Sequence, residues 1–304
     1  MTCHLASARF PLVLLAALAS AMASVAAAQV PIPPVSLAVP PRNAAEQNVV
    51  NLPTTESMRR LGHHFRITHR FARDLRRGSF SQLLGDLFGR DNGAVIGLDY
   101  RFAPMTNVQV GVYRSLLLKT IQVSGRVDAR KQGARAPVAV SVIASVEGTN
   151  NLRDNRAPAF GFAISRSLGD RVVLYGTPMF VWNTFAVHDA APIDHGHEDG
   201  QEDHDHPLFT ISPFDDGERN TAFVGAGARV RARPRTFVVL EYAPRVAGHS
   251  PVGRGVWGFA FERQTGGHLF QLNLSNSFGT TYGQTALGGE RSNVYLGFNL
   301  ARRW

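Results

Sequence analysis

The last eleven residues of the chain, residues 294–304, alternate in polarity up to the final position. Counting back by twos from Trp304 places Leu300 and Phe298 on one face of an extended segment, with polar or small residues on the other face. Arg302 is the one charged residue on the apolar face. The pattern predicts a β-strand that runs to the end of the chain. Such a strand must cover its apolar face with other residues or place it against lipid.

The same alternation recurs along the chain in segments of about ten residues, the length of a tilted membrane-crossing strand. Twelve such segments lie near Leu61, Ala94, Asn107, Leu118, Ala136, Ala159, Arg171, Thr221, Thr236, Gly255, His268 and Asn293. Tight turns such as Leu168-Gly169-Asp170 alternate with long connections such as residues 183–219. The chain is therefore predicted to be all-β, a single antiparallel transmembrane β-barrel of about 12 strands with short periplasmic turns and long extracellular loops. A soluble β-sandwich has the same period and is the alternative.

The aromatic end of the chain adds a functional expectation. A closing strand that stops on an aromatic residue resembles the last strand of bacterial outer-membrane barrels, in which this terminus is the assembly signal. We therefore expect Phe298, Leu300 and Trp304 to form such a signal. The expected partners are outer-membrane lipid and the barrel-assembly machinery.

The start of the chain predicts export. Residues 1–28 have a short basic start, an apolar core and small residues at the end, which is the organisation of a cleaved signal peptide. Cleavage removes Cys3, the only cysteine. Residues 29–58 are rich in proline and predict a periplasmic linker or a tail that enters the lumen. The barrel is expected over residues 59–304, in the cell outer membrane.

Several short motifs carry a family resemblance. They are His69-Arg70-Phe71, residues 87–94, Leu98-Asp99-Tyr100, residues 110–115 and Lys119-Thr120. With these motifs the chain resembles an uncharacterised bacterial outer-membrane β-barrel family, domain of unknown function 5777. The resemblance is densest over residues 51–126 and extends to Trp304. It implies an outer-membrane barrel and brings no established activity, substrate or catalytic residue.

Charged residues on the polar faces of the predicted strands are candidate lumen residues. They are Arg66, Arg70, Asp99, Arg101, Arg126, Glu147, Arg229, Arg231, Glu241 and Glu262. A ring of arginines in a narrow pore favours anionic solutes. Alternatively, each arginine pairs with a carboxylate and fills the barrel, because buried charges need partners. The sequence leaves both interpretations open.

A second group of charges falls near the predicted long-loop rim. Arg90 and Asp91 in the first long connection, with Arg114 and Lys119 near the next, are expected to form an ion-pair cluster. The first connection also has apolar residues at helical spacing after Ser79. This spacing predicts a short helix that packs on the barrel rim or in the lumen. A functional lid, or a helix whose aromatic end touches lipid, are the alternatives.

The connection over residues 188–206 contains seven Asp or Glu residues, five His residues and no Lys or Arg. The histidines are His188, His195, His197, His204 and His206. Imidazole and carboxylate groups on one loop are suitable ligands for Zn, Cu or Ni. A solvated surface loop without bound metal explains the same composition.

Taken together, the sequence favours a passive channel for small, possibly anionic, solutes. The alternative is a non-conducting scaffold that presents the histidine-rich loop to metal or to a partner. No nucleophile with a base in a recognisable setting and no phosphate-binding glycine loop appears, so an enzyme is not expected. The net charge of +9 is spread over the strands instead of one patch, which argues against nucleic acid as a partner.

Overall fold

The computed structural model describes residues 46–85, 93–184, 187–189, 209–211, 220–248, 255–290 and 292–304, with backbone only for 187–189 and 209–211. The strands are β1 Gly62–Asp74, β2 Ala94–Met105, β3 Val108–Ser115, β4 Ile121–Arg130, β5 Ala139–Gly148, β6 Asp154–Leu168, β7 Val172–Val181, β8 Val187–Asp189, β9 Phe209–Ile211, β10 Thr221–Arg233, β11 Thr236–Ala243, β12 Arg245–Ala247, β13 Val256–Thr265, β14 His268–Ser275 and β15 Tyr295–Arg303. The helices are α1 Phe80–Gly85, α2 Thr149–Leu152 and α3 Tyr282–Leu287, with a 3-10 turn at Leu117–Lys119.

Twelve of these strands form one closed antiparallel barrel. Their order around the wall is β11-β13-β14-β15-β1-β2-β3-β4-β5-β6-β7-β10, and β10 pairs with β11 to close the ring. The first and last strands meet in the wall, where Ile67 lies opposite Leu300. Strand β12 adds a short pairing to β10, and β8 and β9 form a separate hairpin. The predicted twelve-stranded barrel is confirmed.

The connections between barrel strands differ between the two rims. On one rim, β2 joins β3, β6 joins β7, β10 joins β11 and β13 joins β14 through tight turns. On the other rim, β7 is followed by β10 only after residues 182–220. Strand β1 begins, and β15 ends, on the short-turn rim.

The outer face of the wall is apolar and the inner face is polar. Leu272 and Phe261 are 54% and 53% exposed on the outside. Arg229 and Glu262 are buried on the inside. A belt of exposed large apolar side chains around a closed sheet fits a lipid surround and not water. The alternative of a soluble sandwich is therefore wrong.

Pro178 lies inside β7, where the missing N–H predicts a bulge or a strand boundary. The structure has neither, because the pairing of β7 with β6 keeps one register from Met179 opposite Gly161 to Gly176 opposite Ile164. Only the pairings between these two positions are interrupted. The ladder bonds on either side hold the strand in line across the proline.

The helix predicted after Ser79 is present as α1, but its side chains are not buried against the barrel. Phe80 is 69% exposed and Leu84 is 48% exposed. The expectation that this helix packs on the rim or in the lumen is wrong for residues 80–85. In the described ranges, no helix is long and apolar enough to cross a membrane.

Candidate functional site: a lumen closed by the chain itself

A tight hairpin from the N-terminal segment occupies the lumen. Asn48 bridges Pro53 in antiparallel pairing, and the Val49 N–H donates to the Leu52 carbonyl at 2.8 Å. Val49, Val50 and Leu52 are buried in the same apolar cluster as wall residues. Of the predicted segment 29–58, residues 46–54 thus lie inside the lumen, and residues 29–45 lie outside the described residues.

Glu241 on β11 binds the tip of this hairpin. Its carboxylate accepts backbone hydrogen bonds from Val50 at 2.9 Å, Asn51 at 2.9 and 3.0 Å, and Leu52 at 3.0 Å. Successive N–H groups that point to one oxygen pair form an anion-binding nest. Here the anion belongs to the wall, and the hairpin supplies the nest.

Arginines of the wall bind the carbonyl and amide oxygens of the hairpin. Three contacts lie along its length: Arg66 Nη1 to the Val50 carbonyl at 3.2 Å, Arg229 Nη2 to the Asn48 carbonyl at 3.1 Å and Arg126 Nη1 to the Thr54 carbonyl at 2.8 Å. Arg70 Nη2 reaches Asn51 Oδ1 at 3.0 Å, and Arg101 Nη2 reaches Asn48 Oδ1 at 2.7 Å. Donors with full charge make the stronger class of hydrogen bond. The candidate lumen arginines therefore face the hairpin instead of open water.

Most of these arginines also pair with wall carboxylates. Arg66 and Arg101 share Asp99, at 3.5 and 2.8 Å. Arg126 pairs with Asp128 at 3.2 Å, and Arg229 pairs with Glu262 at 3.0 Å. Pairing of this kind is what a filled barrel interior requires.

Arg70 is different. It is fully buried, donates to Asn299 Oδ1 at 2.9 Å and forms no ion pair with a carboxylate among the described residues. Removing the hairpin would take away its contact with Asn51. Among the described arginines that contact the hairpin, Arg70 is thus the one with no carboxylate at ion-pair distance.

Arg231 does not belong to this interior group. Its guanidinium is 20% exposed and lies 3.8 Å from Asp170, on the tight turn between β6 and β7. Arg231 is two residues closer to the short turn than Arg229, which places it at the rim. Arg231 therefore lies on the lumen side of β10, but at the rim and apart from the hairpin.

The long-loop side of the lumen is closed by a second element, the short helix α3. Glu147 accepts from Thr281 Oγ1 at 2.9 Å and from the Gly283 N–H at 2.8 Å. The Tyr282 N–H donates to Gln122 Oε1 at 3.0 Å. A capping box between Thr281 and Gln284 fixes the start of the helix. Every residue of α3 is buried.

Glu46 anchors the hairpin at its start. Its carboxylate lies 2.8 Å from Nε2 of buried His64. Burial alone would raise the pKa of Glu46, but the attraction and hydrogen bond of His64 outweigh it and lower the pKa to about 2. An ionised Glu46 is therefore part of the docked state.

Little free space is found where the two plugging elements meet the wall. A cavity of about 20 Å³ lies beside Pro53, Arg126 and Tyr282. This volume holds roughly one water molecule.

The remaining predicted residues lie away from the lumen. Arg114 donates to the Ser115 carbonyl at 2.6 Å, and neither Arg114 nor Lys119 forms an ion pair within the described part of the chain. Arg90 and Asp91 lie outside the described residues. Trp304 stacks on His63 at 5.7 Å, at the seam between β1 and β15. Phe298 stacks on His69 at 4.6 Å along the same seam, and Leu300 lies between the two aromatic residues in β15.

The histidine-rich loop falls largely outside the described residues. His188 is in β8, described by its backbone only, while His195, His197, His204 and His206 are not described. Among the described residues, no group of three or more His, Cys, Asp or Glu could hold a metal ion.

The sequence left a tail in the lumen open for residues 29–58, but it did not predict that this tail forms a hairpin or that α3 fills the lumen. One available signal was the pair Gly225 and Gly227 on the lumen face of β10. A Cβ at Gly225 would lie 2.6 Å from Leu52 Cδ1, and a Cβ at Gly227 would lie 3.1 Å from Val49 Cγ1. The two glycines leave the space that the hairpin occupies.

The closed wall, apolar outside and polar inside, defines a membrane-bound β-barrel. The chain belongs to the family described as a membrane bound beta barrel domain, DUF5777, which matches residues 45–304. The match thus includes the hairpin as well as the wall.

Solved structures that resemble the chain include porins and an outer-membrane protein. Acinetobacter baumannii Omp33 is 10% identical with a TM-score of 0.40, covering 82% of this chain and 100% of that chain. The NanC porin is 6% identical with a TM-score of 0.44, covering 79% and 97%. A porin of Rh. blastica is 9% identical with a TM-score of 0.33, covering 69% of this chain, which spans only 55% of that chain. No curated protein matches the sequence.

Proposed function

We propose that this protein is an outer-membrane channel for small solutes that its own N-terminal hairpin closes at rest. The observation that carries the proposal is the contact between the hairpin and charged wall groups, above all Glu241, inside a polar lumen. Such groups bind water or solute as readily as they bind backbone. Undocking therefore leaves a lumen that water can fill.

The proposed solutes are anionic. An undocked hairpin releases Arg70 from Asn51 and Arg229 from the Asn48 carbonyl. Glu262 still balances Arg229, whereas Arg70 keeps Asn299 and the His69 carbonyl as partners. Undocking also frees the Glu241 carboxylate, which offsets part of this positive charge. An unbalanced arginine in a low-dielectric wall attracts anions.

A disulfide between hairpin and wall tests the gate. The distance of 3.1 Å from a Cβ at Gly227 to Val49 Cγ1 is close to the roughly 3 Å that disulfide geometry sets between a Cβ and the partner sulfur. We expect V49C/G227C to show no openings in planar bilayers when oxidised and to recover the opening frequency of the parent after reduction. Each single variant is the matched control and should not respond to reductant.

Deletion of residues 47–54 tests the same gate without relying on a crosslink. A folded barrel that lacks the hairpin, and in which T281A releases α3 from Glu147, should carry a sustained, anion-leaning current. If the deleted barrel is folded by its heat-shifted mobility on gels and still silent, the channel proposal is wrong. That result would favour a non-conducting scaffold, which is the second candidate function.

The second candidate is a non-conducting scaffold that presents the histidine-rich loop. The closure of the lumen by α3 in addition to the hairpin favours it. In this proposal His188, His195, His197, His204 and His206 bind Zn, Cu or Ni. Isothermal titration with each metal, on the intact chain and on one lacking residues 188–206, tests it. Binding that does not depend on the loop would count against it.

We also propose that the protein is not an enzyme and that a cleaved signal peptide over residues 1–28 directs its export. The barrel-assembly machinery is proposed to recognise Phe298, Leu300 and Trp304. A truncation of Trp304 should lower the folded fraction in the membrane while leaving the unfolded precursor detectable. An unchanged folded fraction would remove the assembly role.

A further inference from the structure

An apolar groove of about 320 Å³ lies on the outer face of the barrel near the short-turn rim. Its floor is formed by Phe261, Phe270, Leu272, Phe298 and Leu300, which belong to three neighbouring strands. Phe270 is 49% exposed and Leu272 is 54% exposed. The groove faces lipid and has the apolar lining that an acyl chain needs.

Basic side chains stand at the rim end of this groove. Arg263 lies opposite Phe270, and His268 lies opposite Arg302, the next outward-facing pair toward the turn. All three basic residues are exposed. Arg263 is oriented by a hydrogen bond from its Nη1 to Thr236 Oγ1 at 2.7 Å.

No acidic residue of these strands shares their outer face in the described structure. Glu262, the nearest in sequence, points inward and pairs with Arg229. The positive charge of Arg263 and Arg302 is therefore uncompensated on the lipid side. The same arrangement explains Arg302, which breaks the apolar pattern of the terminal strand at the position that borders the groove.

We propose that this groove binds an anionic phospholipid, with one acyl chain on the aromatic floor and the phosphate against Arg263, His268 and Arg302. The proposal rests on the outer-membrane placement proposed above, because the short-turn rim then faces the periplasmic leaflet. Basic residues near a membrane surface attract anionic headgroups. The combination of chain groove and basic end favours a lipid over a free phosphate ion, which would need only the charges.

Native mass spectrometry of the full barrel tests the site, with phosphatidylglycerol as the probe and phosphatidylcholine as the neutral comparison. We expect retained phosphatidylglycerol to exceed phosphatidylcholine on the wild-type protein. The variant R263Q/R302Q should weaken phosphatidylglycerol binding about thirtyfold, at about fivefold for each arginine. Phosphatidylcholine binding should change little.

Two further variants separate the groove from general rim charge. R166Q removes an arginine from β6, whose partner in β7 is Leu174, away from the groove residues. It should leave phosphatidylglycerol retention unchanged. L300W fills the groove without removing a basic residue and should reduce retention of both lipids. Folding of every variant is checked by heat-shifted mobility on gels.

Three outcomes would overturn the site: equal retention of the two lipids by the wild type, an equal loss in R166Q, or competition by inorganic phosphate as effective as that by lipid. The channel proposal is tested separately, because R263Q/R302Q should retain the conductance behaviour of the wild type. A silent hairpin-deleted barrel with intact phosphatidylglycerol binding would refute the channel alone.

Discussion

The carboxylate of Glu241 receives two hydrogen bonds from the backbone N–H of Asn51, at 2.9 and 3.0 Å, across 190 residues of sequence. The neighbouring N–H groups of Val50 and Leu52 point to the same carboxylate. A wall strand thus holds the turn of a hairpin by charge-assisted hydrogen bonds to backbone. The state of the lumen depends on whether these bonds are made.

Replacing the charge at this position should loosen the hairpin. E241Q keeps the shape but turns one acceptor oxygen into a donor group that faces N–H groups. We expect about 2 kcal/mol weaker docking, or a roughly thirtyfold larger undocked fraction. A cysteine at Val49, which is 1% exposed when docked, reports this as faster reaction with a soluble maleimide.

D170N, on the exposed turn, is the matched control for E241Q, because it removes a carboxylate that does not touch the hairpin. Its labelling rate should equal that of the parent. Equal rates for E241Q and D170N would show that the nest does not hold the hairpin.

The space at Gly225 should be required for docking. A Cβ there lies 2.6 Å from Leu52 Cδ1, so G225A forces the leucine or the hairpin to move. We expect about 1–3 kcal/mol of lost docking free energy and faster labelling at position 49. In the double variant G225A/L52A the two costs should not add, since L52A removes the overlapping atoms; L52A alone gives the cost of losing the buried leucine.

Gly125 provides the control for this substitution, because a Cβ there would meet no atom within 4 Å. G125A should not change labelling. If G225A behaves like G125A, the hairpin does not occupy this space.

Acid should weaken the anchor between Glu46 and His64. The pKa of Glu46 is lowered from 4.5 to about 2, so its contribution to docking is complete above about pH 4.5 and is lost as the pH falls toward about 2. Burial raises the pKa of Glu56, so that residue contributes in the opposite sense. The difference in labelling rate between the parent and E46Q isolates the contribution of Glu46 from that of Glu56.

The measurement is the labelling rate at position 49 from pH 7 to pH 2 in both proteins, with a reagent that reacts over this range. We expect the parent to approach E46Q only in the acidic part of the range. Parallel profiles throughout would show that Glu46 is not ionised in the docked state.

The α3 plug should depend on its capping residue. T281A removes the capping box and the hydrogen bond to Glu147, at a cost of about 1–2 kcal/mol. We expect faster amide exchange over Tyr282–Leu287 in T281A, with exchange in the barrel strands unchanged. S292A, in the same connection, is the control and should leave α3 protected.

The wall of this protein was predictable because the side-chain period of a strand is a local property. Leu300 and Phe298 alternate with polar neighbours in the sequence, and they face outward in β15 for that reason. The tight turn at Leu168-Gly169-Asp170 is equally local. These features suffice for the strand number and for the rim at which β1 begins and β15 ends.

The contents of the lumen were not predictable in this way. Arg66, Arg126 and Glu241 have the same spacing in sequence whether they line water or bind a hairpin. Pairing between Glu241 and Asn51 follows no period, because it joins distant segments through the closed wall. Arg231 and Arg229 both face the lumen in the alternation of β10. They differ in position along the barrel axis, because Arg231 lies at the rim beside Asp170.

The sequence by itself determined a closed membrane wall of twelve strands, since alternation and loop lengths act residue by residue. The tertiary structure alone decided that the N-terminal segment and α3 fill the interior and that Arg302 borders a lipid-facing groove. The physical reason is that closure of the sheet confines buried charges to one narrow space. In that space, buried charged groups pair with groups that are close in the folded structure, even where these come from distant parts of the sequence.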